Sequence, residues 1–173
     1  MHSKAKYYID KLQLQKHPEG GYYREIYRAG EMFFTETIPA KKINKKNIST
    51  SIYFLLNGRD KSLFHRLKSD EIWHFYDGCD VILYLIDEKG SVQQINFGKE
   101  SEIFQLVIPK NTWFAAELVD KNSFALVGCT VSPGFDFKDF ELAYRNKLLK
   151  QFPENKKLIQ KFTKSNSDTK NLT

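Results

Sequence analysis

The chain has 173 residues, 41% hydrophobic and 14% aromatic, with a formal net charge of +6. That length suits one domain with a real hydrophobic core, and the aromatic content together with nine Gly and five Pro excludes collagen-like or Pro/Gly-rich disordered material. The charge is local: residues 1–144 carry 19 Lys+Arg against 19 Asp+Glu, whereas 145–173 carry eight against two.

In chain order, Ala5, Tyr8, Ile9 and Leu12 have the spacing of a short amphipathic helix with Ser3 as its cap. His17-Pro18-Glu19-Gly20-Gly21 is turn chemistry, because proline fixes φ and the glycines permit positive φ. Tyr22–Arg28 follows as a strand, with Tyr23, Glu25 and Tyr27 on one face and Tyr22, Arg24, Ile26 and Arg28 on the other. A polar, Lys-rich connection covers 41–47. Strand-like runs then recur at 49–56, 63–67, 71–76, 81–86, 92–97, 104–108, 113–118 and 123–131, separated by turn signals such as Asn57-Gly58, Asp77-Gly78 and Lys89-Gly90. Short strands at this spacing with no helices between them predict an antiparallel sandwich or barrel. Pro133-Gly134 ends the β region, and helical spacing begins at Asp139 with Phe140, Ala143, Tyr144 and Leu148. The expected domain covers 1–153, followed by a basic tail over 154–173, partly helical through Leu158, Ile159 and Phe162 and disordered from Thr163.

No apolar run approaches the roughly 20 residues of a membrane span, and no signal-peptide centre opens the chain. The tail lacks the aromatic-basic face or motif of a nucleic-acid binder. These features predict a soluble cytoplasmic protein without membrane or nucleic-acid partners. Cys79 and Cys129 are too few for a disulfide scaffold and lack zinc spacing, so they read as small buried hydrophobes.

Chemistry-bearing side chains concentrate between Gly58 and Gly78, which holds His65, Glu71 and His74. An imidazole ordered by a carboxylate can exchange protons with a substrate, so His65 and Glu71 form the candidate catalytic pair. Glu71 and His74, three apart on a strand, face opposite ways. If Glu71 faces inward, Trp73 and Phe75 do so as well by alternation, and Trp73 can wall a ring-shaped ligand. Tyr53 and Trp113 are amphipathic side chains suited to a pocket rim, with Tyr53 a candidate proton donor; Arg24 can pair a ligand anion. Asp136, Asp139 and Glu141 fit the start of a helix.

This segment resembles the cupin superfamily. Glu71 and Gly78 keep the spacing of the first cupin motif, and His65 stands at its first histidine; Leu67 stands at the second. Pro109-Lys110-Asn111-Thr112-Trp113-Phe114 resembles the second motif, with Phe114 where the third histidine ligand belongs. Only His65 and Glu71 remain of the usual three histidines and one glutamate, which disfavours a metal, since open catalytic sites keep three protein ligands. The stretches His17–Glu25, Thr50–Leu56, Ser69–Tyr76, Trp113–Ala116 and Gly128–Phe137, continuing to Ala143, are similar to a branch of single-domain cupins without an assigned reaction. The resemblance implies an all-β double-stranded β-helix (jelly roll) with short flanking N- and C-terminal helices, a homodimer, and a small-molecule pocket in the barrel. The expected ligand is a polar metabolite such as a sugar or nucleotide derivative, and the alternative is a metal-independent epimerase or isomerase using His65. A metal-dependent enzyme, with His65 and Glu71 as ligands, is the least favoured reading.

Overall fold

The computed structural model describes residues 1–37 and 42–165. Helix α1 (Ser3–Lys11) is followed by strands β1 (Gln15–Lys16), β2 (Tyr22–Arg28), β3 (Met32–Thr37), β4 (Lys42–Asn47), β5 (Thr50–Asn57), β6 (Lys61–Leu67) and β7 (Asp70–Gly78). Then come β8 (Val81–Ile86), β9 (Val92–Phe97), β10 (Gln105–Ile108), β11 (Trp113–Leu118) and β12 (Phe124–Ser132). A 3-10 turn (Phe137–Asp139), β13 (Phe140–Leu142), α2 (Arg145–Gln151) and α3 (Lys156–Lys161) complete the order.

Two antiparallel sheets face each other, one ordered β1-β2-β5-β12-β7-β10 and the other β13-β6-β11-β8-β9, giving the antiparallel sandwich expected from the strand spacing and the jelly roll that the cupin resemblance implies. Alternation along each strand sends one set of side chains between the sheets. Phe54, Leu56, Trp73, Leu83, Phe97, Phe114 and Val127 meet there in the main core. The outer faces are covered at two places. Helix α1 lies on the larger sheet over Leu55, Phe124 and Leu126, and α2 and α3 lie on the smaller one over Phe64, Ile86 and Trp113.

Four details differ from the sequence reading. The α1 cap is His2, whose Nδ1 accepts the Lys4 N–H at 3.3 Å, not Ser3. The segment read as a polar connection is strand β4, paired with β3 in a hairpin that joins neither large sheet; Lys41 lies outside the described residues. Its lysines and asparagines hid the strand because no core face imposes alternation on it. The expected helix from Asp139 starts only at Arg145, because Phe140–Leu142 instead pairs with β6. The packed domain also runs past Pro153: Ile159 and Phe162 are fully buried, and Thr163 is buried with its side chain bound to Arg145 and the Ile159 carbonyl. Of the expected disordered end, 166–173 lie outside the described residues.

The 17–21 turn decides what happens at one end of the barrel. Its backbone bonds to itself (Gly20 N–H to the His17 carbonyl, 3.0 Å) and to β6 (Leu63 N–H to the Glu19 carbonyl, 2.9 Å). Gly20 has φ of 113°, and a Cβ there would stand 2.0 Å from the Lys61 carbonyl oxygen. Only glycine lets the turn lie this close to β6. The contact carries His17 and Glu19 in over the barrel end.

Candidate active site

The barrel is solid at one end and hollow at the other. Trp73 and Phe114 fill its middle, and beyond them lies a cavity of about 370 Å³. Tyr23, Ile52, Phe54, Leu67, Val131 and Phe140 give it apolar walls, with Phe135 and Phe137 toward the mouth. Its charged and imidazole lining comes from His17, Glu19, Glu25, Arg28, His65, Glu71 and Asp136, with Gln15 and Thr50 beside them. That mixture of mostly apolar walls and a few converging polar groups is the usual character of a small-molecule site.

Glu19 is buried together with His65 and Ser62. Its Oε2 lies 3.2 Å from His65 Nε2 and 3.2 Å from His17 Nδ1, and its Oε1 accepts the Ser62 hydroxyl at 2.7 Å. Although burial works the other way, the His65 and His17 partners and the Ser62 hydroxyl hold its carboxyl below the usual range. His65 Nδ1 lies 2.7 Å from the Leu63 carbonyl, so it carries a proton and donates. Burial pulls the His65 pKa down against the opposing pull of Glu19 and that carbonyl. Each ring nitrogen therefore already faces an acceptor from the protein. The ring itself packs against Phe114, centroids 4.0 Å apart.

Glu71 is the odd member. It is only 7% exposed, and its Oε2 has no hydrogen-bond partner. Burial, with the nearby negative Glu19, pushes its pKa up to about 8, and Cys129 and Trp73 offset this only in part. At neutral pH it is a protonated carboxyl lining a cavity. Burial also pushes up the Cys129 thiol, which shares the same wall.

The expected pairing of His65 with Glu71 is thus corrected: Glu19 is the carboxylate at His65. Strands β6 and β7 are consecutive in sequence but belong to opposite sheets, so they face each other across the barrel, and the 17–21 turn supplies the nearer acid. Trp73 faces inward as expected but belongs to the solid core, as does Phe75 against Phe97. Tyr53 points to the outer face, under α1 and 6.0 Å from the Tyr76 ring. Arg24 is exposed and bonds the Leu12 carbonyl and Gln13 Oε1. Trp113 packs beneath the C-terminal helices, with the Arg66 guanidinium 4.5 Å over its ring. None of these last five lines the cavity. His74 is on the outer face, bonded to Thr130 at 3.2 Å. Asp136 caps the 3-10 turn through the Lys138 N–H, and Glu141 pairs with Arg66.

Residues 6–143 match the family described as Cupin superfamily (DUF985). The chain belongs to this family. Among its relatives is the uncharacterised Saccharomyces cerevisiae protein YML079W, 31% identical over 147 residues that cover 76% of this chain and 71% of that one. The crystal structure of Shewanella oneidensis protein SO0799 is 37% identical, with a TM-score of 0.80 over 92% of this chain and 97% of that one. A Leishmania major hypothetical protein is 29% identical, with a TM-score of 0.82 over 93% and 99%. Oxalate decarboxylase from Bacillus subtilis, at 15% identity and a TM-score of 0.53 over 85% of this chain and 36% of its own, shares the fold alone.

Cupin folds commonly hold a metal, and the residues here do not fit one. Leu67 lines the cavity where a second histidine would stand, Phe114 covers the His65 ring, and both His65 nitrogens are occupied. Among the described residues no group of three or more His, Cys, Asp and Glu side chains is arranged to hold an ion.

Several lining residues were not singled out as site residues from the sequence. His17 and Glu19 sat within a stretch read purely as a turn, although an imidazole and an acid flanking the proline were visible there. Arg28 was placed opposite Tyr23 and Glu25, yet it joins them at the cavity because a β-bulge between Glu25 and Tyr27 reverses the alternation.

Proposed function

We propose that this cupin binds a small polar metabolite containing a ring, as sugar and nucleotide derivatives do, inside the hollow end of its barrel. The observation that carries the reading is the unpartnered Glu71 oxygen facing a cavity with aromatic walls. A buried polar atom without a partner costs free energy, about 1–3 kcal/mol, which a ligand hydrogen bond recovers. Glu71 offers its unpartnered oxygen to the ligand, while Glu19, His65 and Ser62 are held together beside it. The test is native mass spectrometry of the purified chain, followed by identification of whatever is released on denaturation. A retained compound that fits the cavity and is lost on Leu67→Trp supports the reading, and one still retained after Leu67→Trp overturns it.

The pKa pattern favours a second reading, a metal-independent epimerase or isomerase. One carboxyl is held low at Glu19 and another is held protonated at Glu71, the kind of separation that divides base from acid. His65 has no nitrogen free for a substrate, so in this reading the proton donor is Glu71, with His65 positioning Glu19. Solvent deuterium entering a keto-sugar, and stopping in Glu71→Gln, supports it.

We further propose a homodimer. The β3–β4 hairpin joins neither large sheet and exposes Met32 and Phe34, and an isolated two-stranded hairpin is marginal in water without a packing partner. Sedimentation giving a monomer at micromolar concentration refutes it.

A further inference from the structure

Among the described residues the one lysine or arginine lining the cavity is Arg28, and it is already committed. Arg28 gives Nε and Nη2 to Glu25 at 2.9 and 2.6 Å, and Nη1 to Asn47 Oδ1 and the Phe135 carbonyl at 3.0 and 3.1 Å. His65 faces an acceptor from each ring nitrogen, and His17 Nδ1 faces Glu19. At the mouth, Asp136 is paired with Lys138. The group left over is an acid, Glu71, more than nine-tenths buried and with one oxygen unpartnered. The same cavity is lined by the aromatic side chains of Tyr23, Phe54, Phe135, Phe137 and Phe140.

Such a lining discriminates by charge. A phosphate or carboxylate entering it would be desolvated among carboxyls with, among the described residues, no uncommitted lysine or arginine to receive it. A protonated amine meets ring faces, which attract cations, and a carboxyl that can ionise. We infer that the ligand of this cavity carries a protonated amine, seated against the aromatic wall with its charge met by Glu71; the inference rests on the small-molecule reading above.

It has a consequence in protons. The titratable groups around Glu71 are Glu19 from the 17–21 turn and Cys129 from β12, while its strand-pair neighbours, Ile108 on β10 and Val131 on β12, carry no charge. His17 and His65 act on it through Glu19. Without ligand, Glu71 holds its proton at pH 7. An arriving cation favours the carboxylate, so binding releases close to one proton for each ligand.

The experiment is calorimetric titration of the full chain at pH 7 with benzylamine, benzyl alcohol and benzoate, three probes with one ring and different charge. Each titration is run in two buffers of different ionisation enthalpy, and the His17 and His65 ring signals are followed by NMR. Benzylamine is expected to bind at least tenfold tighter than the alcohol, with release of close to one proton, and benzoate more weakly than either. Glu71→Gln is expected to bring amine and alcohol to similar affinity and to abolish the release. Should that variant fail to fold, the wild-type pH profile decides, since amine affinity must rise toward pH 8 while alcohol affinity does not. Benzoate or the alcohol binding as tightly as the amine, without proton release, overturns the charge assignment and leaves the cavity reading standing. Millimolar probes that leave both histidine signals unmoved remove the cavity reading, and the inference with it.

Discussion

Glu71→Gln tests the electrostatic core of these conclusions, because glutamine copies the shape of a protonated glutamate and cannot ionise. Burial and Glu19 raise the Glu71 carboxyl from 4.5 to about 8 on folding. Between those values the folded chain holds a proton that the unfolded chain has lost. Its contribution to stability is therefore complete below the unfolded value, declines as pH rises through the window, and is exhausted above about 8. Each pH unit in that window removes up to about 1.4 kcal/mol, giving a ceiling of about 5 kcal/mol over its full width. The variant escapes this loss. Urea unfolding of both chains at pH 5.5, 6.5, 7.5 and 8.5 is expected to show the variant gaining on wild type by about 2–3 kcal/mol between pH 5.5 and 7.5, seen as a shift in midpoint at unchanged slope. Glu19 and His65 titrate in both chains, so comparing the two isolates Glu71. A difference that stays flat within about 0.5 kcal/mol across the series would mean that Glu71 is ionised or solvated in the folded protein, and would refute the reasoning.

Three further substitutions probe how the site is built. Glu19→Gln disturbs the buried hydrogen bond from Ser62 and the contacts to both imidazoles, and is expected to cost about 1–3 kcal/mol in chemical unfolding; a change under about 0.5 kcal/mol would show that this cluster does not hold the turn to the barrel. Gly20→Ala forces a methyl to within 2.0 Å of the Lys61 carbonyl at a positive φ, so it should lower the melting temperature and weaken probe binding together, as the turn lifts off β6. A variant that melts like wild type would contradict the close approach. Phe162→Ala should cost about 3–5 kcal/mol, because the ring is fully buried against Phe64 and Tyr84. A neutral result would return the C-terminal segment to the status of a tail.

Much of the fold was legible because strands that bury one face must alternate, and the turns between them carry Gly, Asn and Asp. The alternation is clearest at the starts of β7 and β8, whereas β11 and most of β12 are buried at every position and read as continuous apolar runs. The β3–β4 hairpin escaped because it pairs with neither large sheet, and β13 escaped because three residues are too few to show a period. That Glu71, Trp73 and Phe75 share one face also followed from alternation. Whether an inward residue meets solid core or open space did not: Trp73 and Glu71 are two residues apart on one strand, and one is packed while the other lines a void.

Strand spacing implied an antiparallel sandwich or barrel, and the resemblance of the chain's motifs to cupins implied the jelly roll with His65 and Glu71 facing inward. Only the tertiary structure decided which groups meet. His65 is joined to Glu19 from a turn more than forty residues earlier, and Arg28 reaches the cavity through a bulge. Periodicity reports which face of a strand is buried, whereas contacts across the barrel depend on register, bulges and the seating of a glycine turn, and these are fixed only when both sheets close together.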